Sequence, residues 1–215
     1  MGLSGSRLQL HILLAFVNLS ILATVWVAVD PAEALDRLSL VSAYLFLLLI
    51  SFVLLVGPVR AMRTGRATTN HTLRRDVAIW GAFMGLVHLV AGAVESMTPI
   101  YLDAFVTHAV NPPSAMMREA FFFWSAIVGF VVGLLLVVLL ALSNNWSMTL
   151  IGQRWWKRLH RLSYIVFVLT ILHGFGFQLL ESRWWVGYVL VGSLALAVCI
   201  AQVRGFQAIA RRPER

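Results

Sequence analysis

Charge is what this sequence lacks first. Only 12% of its 215 residues are Asp, Glu, Lys or Arg, and nine of those are acidic. A soluble domain of this length carries roughly twice that share, so the soluble class is excluded. Cysteine is nearly absent. Cys199 stands alone in a late apolar run, which excludes a disulfide framework and a cysteine metal site and leaves it as a small buried hydrophobe. There is no Gly-rich phosphate loop, no nucleophile–base set, no paired-carboxylate site and no Cys/His zinc spacing, so hydrolytic and nucleotide-driven chemistry has no support. A lone hydroxyl in an apolar run, such as Ser193, signals nothing by itself.

What is present is hydrophobic, 60% of the chain. Six apolar segments reach the roughly twenty residues that cross a bilayer. They run about Leu8–Val29, Leu38–Val59, Val77–Ser96, Ala120–Leu142, Leu159–Leu180 and Trp184–Phe206. Lipid offers backbone groups no hydrogen-bond partner, so each is expected to be a helix. The fold class is an all-α integral membrane protein, a bundle of six transmembrane helices. Residues 1–215 form one domain, with no room for a soluble nucleotide-binding module. The first segment, with Arg7 before it and Ala32-Glu33-Ala34 after it, resembles a signal peptide. At about twenty residues its core is too long for one, and it is expected to be retained as a span.

The net charge of +8 and pI of about 11 would suggest nucleic acid in a soluble protein. Here the basic residues sit in short loops, and no nucleic-acid partner is expected. Arg60, Arg63, Arg66, Arg74 and Arg75 separate spans two and three; Arg154, Lys157, Arg158 and Arg161 separate spans four and five; Arg204, Arg211, Arg212 and Arg215 follow span six. The alternate loops are acidic or neutral. The positive-inside rule then puts both termini in the cytoplasm of a cell that holds the chain in its inner or plasma membrane. Trp146, Trp155, Trp156, Trp184 and Trp185 near helix ends fit an interfacial belt. The long outer loop holds Pro99, Pro112 and Pro113, and its stretch Ile100–Val110 is amphipathic enough to lie on the membrane surface.

An ionisable side chain inside a span is expensive and marks a candidate site. Of six histidines, His11, His71 and His108 fall at span ends or in loops and read as solvated or interfacial. His88 lies about twelve residues into span three, and His173 lies thirteen past His160, which opens span five. Both spans run outward, so at 1.5 Å per residue both histidines sit roughly 18–20 Å from the inner boundary. Two imidazoles at one depth on two helices are what bis-histidine haem ligation requires. Two unrelated core histidines, each bonded to neighbours, fit the same spacing. Gly81, Gly85, His88 and Gly92 share one helical face, leaving either a slot beside the imidazole or close helix packing. Gly174 and Gly176 flank His173 with the same two readings, and Gly129 and Gly133 form a GxxxG contact.

On a straight helix, thirteen residues put His160 and His173 on roughly opposite faces. His160 sits instead among Arg154, Lys157, Arg158 and Arg161, level with Arg74 and Arg75 of span three. Such an inner cluster suits haem propionates, a flavin phosphate or a quinone headgroup, or is only the topology signal with its lipid-headgroup contacts. Glu95, seven residues past His88 on its face, is either a helix-end carboxylate or a group that meets a cofactor edge.

Leu73-Arg74-Arg75, thirteen residues before His88, and the run Gly152-Gln153-Arg154-Trp155-Trp156-Lys157-Arg158-Leu159-His160-Arg161-Leu162-Ser163-Tyr164 leading to His173 resemble the ferric-reductase-like transmembrane domain family. Within it they are similar to the haem-binding membrane subunit of the bacterial periplasmic methionine-sulfoxide reductase system. Gly57-Pro58-Val59-Arg60 with Thr64-Gly65 adds to the likeness, which covers about Gly57 to Leu180. The resemblance implies a b-type haem with His88 and His173 as axial ligands to its iron. It implies an electron intake at the inner level, through His160, Arg74, Arg75 and Arg158, from a flavin, a separate reductase or the quinol pool. Two-haem members carry a histidine where this chain has Arg75, which puts a second haem in doubt. The acceptors it implies are a periplasmic oxidoreductase or ferric iron. The competing class is a non-haem transporter or assembly factor with structural histidines.

Overall fold

A computed structural model of the chain describes residues 5–31, 33–66, 71–96, 113–180 and 185–211. The described elements are all helical: α1 Gly5–Ala28, α2 Ala34–Thr64, α3 His71–Ser96, α4 Pro113–Ala141, α5 Asn145–Ile151, α6 Gln153–His160, α7 Leu162–Leu180 and α8 Trp185–Ala210. Six spans are long and apolar enough to cross a membrane, α6 and α7 together making the fifth. This is a multi-pass membrane protein, as its apolar runs require. The expected surface stretch Ile100–Val110, His108, Arg212 and Arg215 lie outside the described residues.

The bundle is built around α2, which packs against α3 on one side and α8 on another, while α4 packs against α7. Leu54, Met84 and Val166 are its fully buried apolar side chains. Large apolar residues point outward on every span, from Phe16 through Phe52 and Phe130 to Phe206, because the surrounding solvent is hydrocarbon. Cys199, expected to be buried, is exposed on α8. An apolar run in a span does not tell which face of its helix is lipid.

Two local arrangements hold the frame. Pro58 sits inside α2 and removes the amide that would bond the carbonyl of Leu54. Gln202 of α8 donates its Nε2 to that carbonyl at 3.0 Å, and Gly205 lets α8 close on Pro58, where a Cβ would lie 2.8 Å from the proline Cα. An unmet carbonyl in lipid costs several kcal/mol, so the pair Pro58–Gln202 fixes the α2–α8 register. At its end, α2 stops on Gly65 in the left-handed region (φ 61°), whose N–H bonds the Ala61 carbonyl at 2.7 Å.

The basic end differs most from the sequence expectation. The short helix α5 was not anticipated. It starts where the Asn144 side chain accepts from the Ser147 amide at 2.8 Å. Gly152, at φ 78°, turns the chain from α5 into α6, and Trp156 Nε1 donates to the Leu142 carbonyl at 2.7 Å, tying α6 to the end of α4. The fifth span is interrupted at Arg161, where i to i−3 bonds tighten the turn: Arg161 N–H to Arg158 at 3.1 Å and Tyr164 N–H to Arg161 at 3.0 Å.

Candidate functional site

Two cavities open among the described residues, one at each level along α3 and the fifth span. Phe46 of α2 and Leu136 of α4 line both and so form the partition between them.

The cavity farther from the basic loops has a volume of about 320 Å³ and contains His88 and His173 in its wall. Their Nε2 atoms face each other at 3.5 Å, with ring planes at 73° and centroids 5.7 Å apart. His88 Nδ1 lies 2.9 Å from the Ser39 carbonyl and 3.0 Å from the Ser39 hydroxyl. His173 Nδ1 lies 2.8 Å from the Ser125 carbonyl. A carbonyl only accepts, so Nδ1 carries the proton in both neutral rings and each Nε2 presents a lone pair. The 3.5 Å contact is therefore not an N–H···N bond. Two lone pairs are aimed at one point, where an added proton or a Lewis acid satisfies both. Two neutral imidazoles with facing lone pairs are a donor set that fits a haem iron, which His88 and His173 would hold.

The room around the pair comes from glycine. At Gly129 of α4 a Cβ would lie 2.5 Å from His173 Cε1 and 2.8 Å from Nδ1. Gly129 is thus the seat of the His173 ring, beyond the plain GxxxG contact expected of it. Its partner Gly133 does make a helix contact, with Leu89. Of the α3 glycines, Gly85 and Gly92 line this cavity and Gly81 the other; Gly85 also abuts Leu136 and Phe46. The remaining wall is mostly apolar. Glu95 and Asp36 lie in it, and Gln178, buried, donates to Tyr44 Oη at 2.9 Å. No Lys or Arg is among the wall residues of this cavity.

The second cavity, about 330 Å³, lies at the basic end. His71, Arg74, Arg75, Lys157, His160 and Arg161 line it, with no carboxylate among its wall residues. His160 stacks on Trp156, ring centroids 3.8 Å apart, and its Nδ1 bonds the Trp156 carbonyl at 3.0 Å. By the same logic its Nε2 presents a lone pair, and that atom is buried without a partner, as is Arg74 Nε. Unmet buried polar atoms at a cavity wall call for a ligand. His160 and His173 each line a cavity, at different levels of the fifth span. Arg158 is not in the wall: it is exposed, its guanidinium 4.9 Å over the Trp155 ring. Lys157 and Arg161 stand where Arg158 was expected.

Several contributors escaped the sequence. Ser39 and Ser125 act through main-chain carbonyls, which no residue code reveals. His71, read as interfacial, lines the basic-end cavity. His11, read the same way, accepts from Trp80 Nε1 at 3.1 Å beside a fully buried Asp76.

The fold and site define a class: an all-α multi-pass membrane protein with a half-buried imidazole pair between two spans. Comparison with known proteins narrows it. The chain is 30% identical over 151 residues to the protein-methionine-sulfoxide reductase heme-binding subunit MsrQ of Brucella ovis, and equally to those of Brucella canis and Brucella suis. The match takes in 70% of this chain and 60% of each relative, so the chain spans less than two thirds of the length of the proteins it matches. The likeness agrees with the resemblance carried by the span-three and span-five motifs. No protein-family model matches the chain, and no solved structure matches it.

Proposed function

We propose that the chain is a haem-b protein of the cell membrane that relays electrons from a cytoplasmic flavin-bearing reductase or quinol to an acceptor outside. The acceptor is a periplasmic oxidoreductase or ferric iron. The observation that carries this is the facing of two Nε2 lone pairs at 3.5 Å in an apolar cavity, each ring fixed by an Nδ1–H bond to a carbonyl. Haem binding by relatives at 30% identity supports it.

His88 and His173 hold the iron, and Ser39 and Ser125 fix their tautomer and orientation. Bound there, a haem supplies one-electron redox chemistry. The rest of the work falls to the protein. The apolar wall excludes water, and Gly129 seats the His173 ring. The basic-end cavity is the intake, where Arg74, Arg75 and His160 meet an anionic or hydrogen-bonding carrier such as a flavin phosphate or quinone headgroup. With both termini cytoplasmic, that cavity faces the donor and the histidine pair lies nearer the outer acceptor. Residues 1–215 act as one domain in contact with lipid on all sides.

Among the described residues no group of three or more His, Cys, Asp or Glu gathers to hold a bare ion. The test is a reduced-minus-oxidised spectrum of the purified protein with haem quantified per chain. The expected result is a Soret band that shifts on dithionite reduction. A colourless protein after expression with ample haem overturns the proposal.

A further inference from the structure

One ionic cluster centres on a carboxylate outside both cavity walls, and Asp76, Arg7 and His11 in it are unused by the function proposed above. Asp76 is fully buried near the start of α3, where an unpaired carboxylate would be strongly destabilising. Arg7 of α1 takes both of its oxygens, Nη2 at 2.6 Å from Oδ1 and Nε at 2.8 Å from Oδ2. His11, a turn further along α1, has Nε2 3.6 Å from Oδ1. Arg75 Nε stands 3.8 Å from the same Oδ1, but its Nη1 donates elsewhere, to Asn145 Oδ1 at 2.6 Å. Arg75 is in the wall of the basic-end cavity and Asp76 is not.

Two guanidinium groups thus face one carboxylate. The fork of Arg7 takes the hydrogen-bonding positions of both oxygens, and Arg75 Nε stands beyond hydrogen-bond distance at 3.8 Å. Arg7 holds those positions, and Arg75 is left to Asn145 and the cavity. The helix bearing Arg7 is the least buried of the spans: Asn18 is the one buried side chain among its described residues. Apolar packing contributes little to its docking, and the ionic cluster contributes much.

We propose that Arg7 is a positioning residue for the basic-end cavity: by saturating Asp76 from α1, it keeps Arg75 on the cavity wall, so that docking of α1 sets the positive charge the cavity offers an anionic ligand. The functional half rests on the cavity being the electron intake. The competition itself does not.

Two measurements on the purified full chain separate these. The first is a thermal-melting cycle between Arg7→Ala and Asn145→Ala, whose side chains share no direct bond. Asn145→Ala is expected to lower the melting temperature of the parent and to have no further effect once Arg7 is gone, because Arg75 has already left Asn145 for Asp76. Additive losses overturn the competition. The second is anaerobic reduction of the haem by reduced flavin mononucleotide and by reduced riboflavin, which lacks the phosphate. Arg7→Ala is expected to raise the apparent KM for the mononucleotide about tenfold, the effect of losing one charged hydrogen bond. The limiting rate and the riboflavin KM stay unchanged. Arg7→Lys keeps most of the parental KM, and adding Asp76→Asn to Arg7→Ala restores it by freeing Arg75. Equal changes for both flavins, or no restoration, overturn the positioning role. A coupled melting cycle in a parent that does not distinguish the two flavins upholds the competition and removes the intake reading instead.

Discussion

The two cavities share walls from α2, α3, α4 and the fifth span and differ in the charge that lines them. His88 and His173 face each other at one level, while Arg75 and His160, each thirteen residues earlier on the same two spans, line the cavity at the other. Phe46 and Leu136 belong to both walls. At the first level histidine faces histidine, which gives two converging lone pairs in a mostly apolar, cation-free wall. At the second Arg75 and His160 share a wall without bonding each other, and one imidazole lone pair is left without a partner in a wall of fixed positive charge. The first arrangement suits a metal between neutral ligands, the second an anion.

The largest expected effect tests whether the levels are independent. His173→Ala removes one of the two facing lone pairs, and the low-spin haem spectrum is expected to disappear, as it is for His88→Ala. His160→Ala is expected to leave that spectrum in place. Optical spectra and haem content per chain decide it. Loss of the histidine-pair spectrum in the His160 variant would merge the two cavities into one site.

The next effect sharpens the claim that Arg75 is what separates them. Arg75→His adds an imidazole to the wall that His71 and His160 already line. A further bis-histidine signal is expected in the low-temperature paramagnetic resonance of the oxidised protein, with a rise in haem per chain. An unchanged spectrum would mean that the walls, not residue 75, decide what the basic end accepts.

How much of this was legible beforehand follows from where the information resides. The pairing of His88 with His173 was legible because an imidazole inside an apolar run stands out, and rise per residue converts spacing into depth. The six spans were legible from run length, although α2 and α3 extend past the apolar windows at their basic ends, where Arg60 and Arg63 stay helical and exposed while Arg74 turns to the cavity. Arg158 was named as one member of a basic run, and membership of the run does not say which of its side chains reach the cavity; Lys157 and Arg161 line it instead. The Ser39 and Ser125 carbonyls are common to every residue type, so no sequence marks them. The Arg7–Asp76 pair spans sixty-nine positions, and Arg7 alone resembles any basic flank of a first span.

A smaller effect probes the seat of the ring. Gly129→Ala introduces a Cβ that would lie 2.5 Å from His173 Cε1, and overpacking of this kind costs about 1–3 kcal/mol. The imidazole must shift away from His88, so haem is expected to be retained in a smaller fraction of chains with a broadened Soret band. Gly133→Ala, which meets Leu89 rather than a histidine, is expected to lower the melting temperature without that spectral change. Equal spectra for the two variants would make Gly129 an ordinary helix contact.

The smallest expected effect lies in the hydrogen bonding of His88. Its Nδ1 is shared between the Ser39 carbonyl at 2.9 Å and the Ser39 hydroxyl at 3.0 Å, whereas His173 Nδ1 meets the Ser125 carbonyl at 2.8 Å. Ser39→Ala removes the hydroxyl and keeps the carbonyl, so the tautomer and both ligands survive. An acceptor at Nδ1–H makes the imidazole a stronger donor through Nε2, which favours ferric over ferrous iron. Removing part of that acceptor is expected to raise the midpoint potential. A hydrogen bond of about 0.5–1 kcal/mol corresponds to roughly 20–40 mV for one electron. Potentiometric titration of the Ser39→Ala protein reads this directly, with the Soret position unchanged as the control. A potential that falls would mean that the hydroxyl donates toward the ring rather than accepts. Nδ1 would then be the unprotonated nitrogen of His88, and the facing of two lone pairs across 3.5 Å would have to be given up.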